Sequence, residues 1–454
     1  MRGLADRVAK TIARLGVLGW FRGVEVRGIE RLGEGPAVVV ANHPGGFVDP
    51  TLLTAVLPRI PRFLAMARLW RIWPIRPFLA LAGAIPVQRA QDGPTGRNVD
   101  AFAAAHRVLA EGGVVAIFPE GEASDSPHLL PLKTGAARIA LGAAAAGVRG
   151  TRIVPIGLIY EQKQTARARA YVRVGEVLDL DARLAALVGT GPPDPGDHEA
   201  VGRLTAELEE GLADAALDFE DAAQAADLGY AAVVSLRRPG GSPAWSPSLS
   251  ATDTIASALA AAPLPAQDRV RAAVADYRGA LEANQVSDRQ VAAGPRSVAR
   301  TSRALGGLLA LLAVPFALVG LVVNLVPSLA VHLAGRRPAP PVTLATTKFL
   351  VGLVTFPAGW LAWRYLMLEE TSNPWLLTVA VGPVCGLIAA VLGHRLHRAR
   401  LARLRPTRLI LPMRAAEDLA ERRAVLVAAV ERALDEAPVG GRGPHAAGSL
   451  GDRP

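Results

Sequence analysis

The chain has 454 residues, 51% of them apolar and only 20% charged, so a disordered or highly charged polypeptide is excluded and about three structural units are expected. A single cysteine, Cys385, lies inside an uncharged run, which excludes an internal disulfide framework and a cysteine-based zinc site. Fifty basic against forty acidic residues give a net charge of +10, which fits either nucleic acid or an anionic membrane surface as partner. Forty-six of the basic residues are Arg and only Lys10, Lys133, Lys163 and Lys348 are Lys, so each retained lysine stands out.

In residues 1–20, Arg2, Arg7, Lys10 and Arg14 interrupt every apolar stretch before it can form a secretory signal, so the N-terminus is expected to stay in the cytoplasm. On a helical wheel Leu4, Val8, Ile12 and Leu15 share one face opposite Asp6, Lys10 and Arg14. That is a basic amphipathic helix, which either docks on a membrane or packs on the domain behind it. From 21 to about 180, the runs VEVRGI, AVVVA, GAIPVQ, VVAIF, RIVPIGLIY and YVRVGEV alternate with helical segments. The pattern predicts an α/β domain over 21–235 with a mostly parallel sheet flanked by helices. A helix is expected over 200–228; 236–303 reads as linker and helical region, with RRPGGSPAWSPSLS at 237–250 and a helix over 252–285.

The last third differs. Ala304–Gly335, Phe349–Trp363 and Trp375–Gly393 carry no formal charge, so 304–410 reads as a membrane region. Arg296, Arg300 and Arg303 precede the first run, Arg336, Arg337 and Lys348 separate it from the second, and Arg395, Arg398, Arg400, Arg403 and Arg405 follow the third. Only Glu369 and Glu370 lie between the second and third, so the positive-inside rule makes 343–393 a spanning hairpin with all other flanks inside. Pro315, Asn324 and Pro327 interrupt the first run, which reads as a re-entrant or interfacial element over 304–335. Residues 411–454 read as an amphipathic helix followed by a disordered tail from about 438.

Chemistry concentrates in the α/β part. AVVVANHPGGFVDPTLL (37–53) reads as strand, loop and helix, with Asp49 as N-cap and Pro50 at the first helical position. His43 then lies just past the carboxyl end of a strand, where open α/β sheets bind ligands, and a turn at Gly45-Gly46 can bring Asp49 back to the imidazole. A carboxylate that fixes the tautomer and supports the imidazolium makes such a histidine a general base. GAIPVQR (83–89) ends a strand on Arg89. VVAIFPEGEASDSPHLLPLKTGAARIAL (114–141) is a strand, a polar loop with Glu120 and Gly121, and a helix that Thr134 could cap. Lys133 beside that helix N-terminus, with Arg89, suggests a bound phosphate.

NHPGGFVD, GAIPVQR, FPEG and VPIG resemble, in order and rough spacing, the four motifs of the glycerolipid acyltransferases, the PlsC-like group that includes glycerol-3-phosphate and 1-acylglycerol-3-phosphate acyltransferases. The resemblance covers residues 21 to about 180. It implies His43 and Asp49 as the catalytic pair, Arg89, Glu120 and Gly121 as binders of the glycerol phosphate, Pro155 on the acyl-donor side and Lys133 as a further phosphate contact. Five residues separate His43 from Asp49 where the usual pattern has four, which is similar to fungal glycerol-3-phosphate and dihydroxyacetone-phosphate acyltransferases and their bacterial relatives. VNLVP followed by TTKFLVGLVTFP resembles the hydrophobic C-terminal region of that variant.

The expected reaction is direct transfer of an acyl group from acyl-CoA or acyl carrier protein to a hydroxyl of glycerol-3-phosphate, dihydroxyacetone phosphate or 1-acylglycerol-3-phosphate, with anionic membrane lipids as the surface partner and no nucleic acid. The sequence has no G-x-S-x-G elbow, P-loop or G-x-G-x-x-G, so neither an acyl-serine nor a nucleotide cofactor is expected. No metal is expected either: His394 and His397 sit among arginines at a membrane border. Two rivals stand beside this reading: a lipid-binding or scaffolding membrane protein that keeps the fold, and an acyltransferase for another lysolipid.

Overall fold

A computed structural model of the chain describes residues 2–73, 75–88, 98–189, 191–216, 219–241, 245–293, 301–336, 338–366, 381–404 and 413–438. Arg89, the loop with Glu369 and Glu370, and the tail from 439 lie outside the described residues. The chain forms two compact units, Met1–Asp218 with Ala330–Val354, and Phe219–Leu329 with Thr355–Pro454.

The first unit is an α/β domain. In chain order it contains α1 (Arg2–Trp20), β1 (Phe21–Arg27), β2 (Ala37–Ala41), α2 (Val48–Val56), β3 (Pro61–Met66), α3 (Arg76–Leu81), β4 (Ile85–Val87), α4 (Asn98–Ala110) and β5 (Val114–Ile117). There follow α5 (Gly135–Ala145), β6 (Arg152–Tyr160), β7 (Ala168–Val174), β8 (Leu178–Asp179), α6 (Leu180–Val188) and α7 (His198–Ala215). The strands form one sheet in the order β1-β7-β6-β2-β5-β3-β4, with β8 also paired to β6. Neighbours are parallel except that β6 runs antiparallel to β7 and β8. The mostly parallel sheet expected from the alternation is therefore present.

A parallel strand covered on both faces carries apolar side chains on both, which is why β2 reads AVVVA without alternation. Val39 and Ala41 pack with Ala13, Val17, Leu52 and Leu53 of α1 and α2, and Val38 and Val40 pack with Leu109, Ile139 and Leu208 of α4, α5 and α7. Strand β3 has no counterpart in the sequence reading. Its PRFLAM is poor in β-branched residues and carries Arg62 mid-strand, whose guanidinium is neutralised by Asp6 at 2.8 Å, so pairing with β5 and β4 rather than local propensity makes it a strand. In α1 the buried face is Ala9, Ala13, Val17 and Trp20, which leaves Leu4, Val8 and Leu15 exposed. Small residues allow closer helix packing here than the wheel's leucine face would.

The helices expected over 200–228 and 252–285 are each divided. The first becomes α7 and α8 (Ala222–Leu236), the latter capped by Asp221, and the second becomes α9 (Leu249–Ala260) and α10 (Leu264–Ala283), separated at Pro263. After α11 (Asp288–Ala293), α12 (Thr301–Val323) and α13 (Leu325–Ala334) form an apolar pair bent by 63°. They are followed by α14 (Pro341–Leu366), α15 (Gly382–Leu404) and α16 (Met413–Glu436). Helix α14 is long and apolar enough to cross a membrane. The buried Asn324 at the α12–α13 break donates to Gly320 O and Gly382 O and accepts from Trp360 Nε1 at 2.8 Å, which satisfies its own amide and ties the break to α14 and α15. In the helical bundle, buried Asp288 accepts from Arg237, Arg423 and Tyr277, tying α16 to α8, α10 and α11.

Residues 330–354, expected within the membrane region, fold with the sheet. Ala345 and Phe349 of α14 are buried in its core, and Phe349 meets the edge of Trp20 at 5.6 Å between ring centroids. Phe349→Ala is expected to cost about 3–5 kcal/mol and to lower the thermal midpoint by roughly 10 °C, read by calorimetry on the full chain.

Candidate active site

The carboxyl ends of the parallel neighbours β2 and β5 lie side by side, so the loops that leave them, Asn42–Phe47 and Phe118–Thr134, meet above the same edge of the sheet. The main chain of His43 is fixed at both ends by the β5 loop. Its N–H donates to Glu120 Oε1 at 2.7 Å, and its carbonyl accepts from the Ser124 N–H at 3.0 Å. Asn42 anchors the same loop to β6 through two hydrogen bonds with the Leu158 backbone. The imidazole stacks on Phe118, with centroids 4.0 Å apart and planes 9° apart, which leaves it little rotational freedom.

The turn at Gly45-Gly46 folds back as anticipated, with φ of +61° at Gly46. It brings Asp49 Oδ2 to 2.8 Å from His43 Nδ1. Asp49 is not the N-cap: α2 begins at Val48 with Phe47 in the cap position and no side-chain cap bond. Instead Asp49 sits in the first turn with its carboxylate turned back to the loop, where Oδ2 also accepts from the Gly45 N–H at 2.8 Å. Its Oδ1 accepts from the Tyr160 hydroxyl at 2.5 Å. The carboxylate is wholly buried, so these three donors are what make an ion tolerable there. Burial, then the adjacent Asp49 charge and the hydrogen bond to it, hold the Tyr160 phenol well above its usual range, so it remains a donor.

His43 opens on a cleft of about 1330 Å³ with two kinds of wall. One part is apolar, built by Ile12 of α1, Phe63 of β3, Leu69 and Ile72 after it, Phe78 of α3, and Leu350 and Leu353 of α14. The polar lining includes Gln88, Asn98 at the start of α4, and Glu122, Lys133, Thr134 and Arg138, the last three at the N-terminus of α5. The side chain of Lys133 runs over Gly121, where a Cβ would stand 2.5 Å from Nζ and where φ is +75°. Gly121 therefore lets the ammonium reach the cleft. Thr134 occupies the α5 cap position, but its hydroxyl accepts from Arg138 Nε at 3.3 Å and makes no cap bond.

The other expected site residues fall differently. Glu120 is buried and does not line the cleft; its carboxylate is occupied by the His43 N–H and, at 3.3 Å, the Leu130 N–H, so it braces the loops. Burial raises its carboxyl above the usual range, opposed by the His43 and Leu130 amides. Pro155 also lies off the cleft. Successive residues of β6 face opposite sides of the sheet, so Val154 and Ile156 join the core with α2 while the Pro155 ring packs against Gly175 and Gly211. Two contributors escaped the sequence reading. Tyr160 continues the face of Ile156 and Leu158 by strand alternation, a legible signal. Thr346, whose Oγ1 accepts from the Phe47 N–H at 3.2 Å, has no local signal because it is 299 residues away in sequence.

Residues 23–159 match the family model described as Acyltransferase. The chain carries an acyltransferase-family domain. Glycerol-3-phosphate O-acyltransferase 2 of Saccharomyces cerevisiae is 34% identical over 116 residues, 25% of this chain and 15% of the yeast protein. Lyso-ornithine lipid O-acyltransferase of Brucella abortus is 30% identical over 202 residues, 43% of this chain and 66% of that protein. The human 1-acyl-sn-glycerol-3-phosphate acyltransferase beta is 32% identical over 144 residues, 30% of this chain and 51% of that protein. The 1-acyl-sn-glycerophosphate (LPA) acyltransferase PlsC from Thermotoga maritima overlies 47% of this chain and 81% of its own at 18% identity and a TM-score of 0.34. The chain thus spans less than two thirds of the length of these curated relatives. In this acyltransferase domain the matched segment ends before Tyr160 and Thr346, so the closing wall of the His43 turn is supplied from outside it.

Two outcomes test the geometry. Gly46→Ala places a Cβ 2.2 Å from Thr346 Oγ1 at a left-handed φ, and is expected to lower turnover at least about tenfold while the sheet still unfolds cooperatively, read by activity assay and circular dichroism. For Glu120, the raised carboxyl means that the folded chain binds more protons than the unfolded one just above the ordinary value of 4.5. The contribution of Glu120 to stability therefore falls as pH rises through that window, and the unfolding midpoint of wild type relative to Glu120→Gln is expected to drop there in a pH series.

Proposed function

We propose that this chain is a membrane-bound O-acyltransferase that moves a fatty acyl group from a thioester, acyl-CoA or acyl carrier protein, to a hydroxyl of glycerol-3-phosphate, dihydroxyacetone phosphate or 1-acylglycerol-3-phosphate in phospholipid synthesis. The observation that carries it is the His43 Nδ1–Asp49 pair, 2.8 Å apart, at a cleft with an apolar arm and a cationic arm. Asp49 fixes the proton on Nδ1, so Nε2 is the free base. As the acceptor oxygen attacks the thioester carbonyl, its proton passes to Nε2; when the tetrahedral adduct collapses, the C–S bond breaks and the thiolate takes that proton from the imidazolium. Lys133 and the α5 N-terminus attract the acceptor phosphate, and Arg89 is proposed as a further contact. The apolar arm holds an acyl chain, each buried CH₂ contributing about 0.8 kcal/mol.

A product this apolar leaves most readily into lipid. The exposed apolar side chains of α12 and α13, such as Leu311, Phe316, Leu325 and Val326, together with α14, support a membrane anchor in this reading, and the arginine-rich flanks favour a cytoplasmic catalytic domain. A second reading keeps the chemistry with a different acceptor: two relatives, from Brucella abortus and Rhizobium meliloti, are named lyso-ornithine lipid O-acyltransferases.

Purified full-length protein in anionic vesicles would be assayed with glycerol-3-phosphate, dihydroxyacetone phosphate, 1-acylglycerol-3-phosphate and a phosphate-free lysolipid. A phosphate-bearing acceptor is expected to dominate, with Lys133→Ala raising its KM about tenfold. Turnover equal with and without phosphate would select the second reading and remove Lys133 from acceptor binding. His43→Ala is expected to lose at least about a thousandfold in kcat, and full retention of transfer would rule out His43 as the base.

A further inference from the structure

We infer that Tyr160 is a positioning residue for the transfer reaction, holding the Asp49 carboxylate in the orientation that His43 needs. This rests on the general-base reading of His43 and adds a residue outside the four motifs. Tyr160 is the last residue of β6, at the end of the strand that carries VPIG, and its hydroxyl donates to Asp49 Oδ1 at 2.5 Å. The opposite carboxylate oxygen is shared by His43 Nδ1 and the Gly45 N–H, both at 2.8 Å. Tyr160 is therefore the one donor shown on Oδ1 among the described residues, and without it that oxygen would be buried as a bare charge.

The ring is held as firmly as the hydroxyl. It stacks on Phe21 with centroids 5.7 Å apart and planes 11° apart, and it closes against Gly45, where a Cβ would stand 3.1 Å from Cε2. The phenol is thus clamped between the start of β1 and the His43 turn. It does not line the cleft, so it acts through Asp49 and not on substrate.

The chemical consequence has a sign. A hydrogen bond to Oδ1 draws charge from the carboxylate, which tempers the pull of Asp49 on the imidazolium of His43. Loss of that bond leaves a more basic carboxylate, so His43 stays protonated to higher pH and less of the enzyme has a free base at a given pH. The other ionisable groups around the pair are Glu120, whose carboxylate faces the His43 main chain, and Glu122, Lys133 and Arg138 along the cleft. On α14, Lys348 is turned to the Gln164 carbonyl.

The test is Tyr160→Phe, which keeps the ring and removes only the hydroxyl, assayed in the full-length protein in vesicles. The acid limb of the kcat/KM profile is expected to move up by roughly half a pH unit, and kcat above the limb to fall about tenfold, with the KM of both substrates unchanged. Site-specific 3-fluorotyrosine at position 160, a stronger donor of the same shape, is expected to move the limb down. An unchanged limb and kcat in both variants would overturn the assignment, whatever happens to the thermal midpoint. His43→Ala in the same assay separates the two readings: if it is inactive while both Tyr160 variants match wild type, only the Tyr160 role fails, and if it is active the general-base reading fails first.

Discussion

The arrangement depends on one buried charge. Asp49 has no access to water, yet it can remain a carboxylate because the imidazole, a backbone amide and a phenol all point at it. The donors come from two parts of the chain: the β2–α2 loop supplies His43 and Gly45, and β6 supplies Tyr160. Hydrogen bonds to an ion contribute about 1.5–3 kcal/mol each, enough together to offset the desolvation of one carboxylate. The surroundings follow from the need to hold this geometry. Glu120 and Ser124 pin the His43 main chain, Phe118 pins its ring, and Thr346 closes on Phe47 from the far end of the sequence.

The cleft has a polar part and an apolar part, as the proposed lipid precursor would require. Its cationic arm is made where a helix N-terminus and a lysine meet, so the dipole and the ammonium favour the same charge. Its apolar arm is made from α1, β3, α3 and α14, elements that are not part of the loops carrying His43 and Lys133. A single helix, α14, contributes Leu350 and Leu353 to that arm and Thr346 to the His43 turn, and extends to Leu366.

Much of this could be read from the residues, and the gaps have physical causes. The strand–loop–helix units at 37–53 and 114–141 were legible because apolar runs end on glycine and proline punctuation, and the His43–Asp49 contact followed from the turn between them. The N-cap reading of Asp49 failed because a carboxylate near a helix start can turn either to the helix amides or back to a neighbouring imidazole, and only the fold decides which donors it meets. Glu120 and Pro155 were expected on the substrate side by family likeness alone, and their loop-bracing contacts and strand facing are not legible in a motif. Strand β3 was missed because its register comes from β5 and β4, and the contribution of 330–354 because hydropathy alone does not say which half of an apolar helix a protein core will claim.

The most direct test of the central claim is the steady-state kcat/KM of Asp49→Asn in the full-length protein, with a long-chain acyl-CoA and glycerol-3-phosphate. An asparagine keeps the shape but removes the charge that fixes the histidine tautomer, so a loss of roughly 10³–10⁴ is expected with an intact fold by circular dichroism. A variant within tenfold of wild type would show that the buried carboxylate is structural and that the His43–Asp49 pair does not drive acyl transfer.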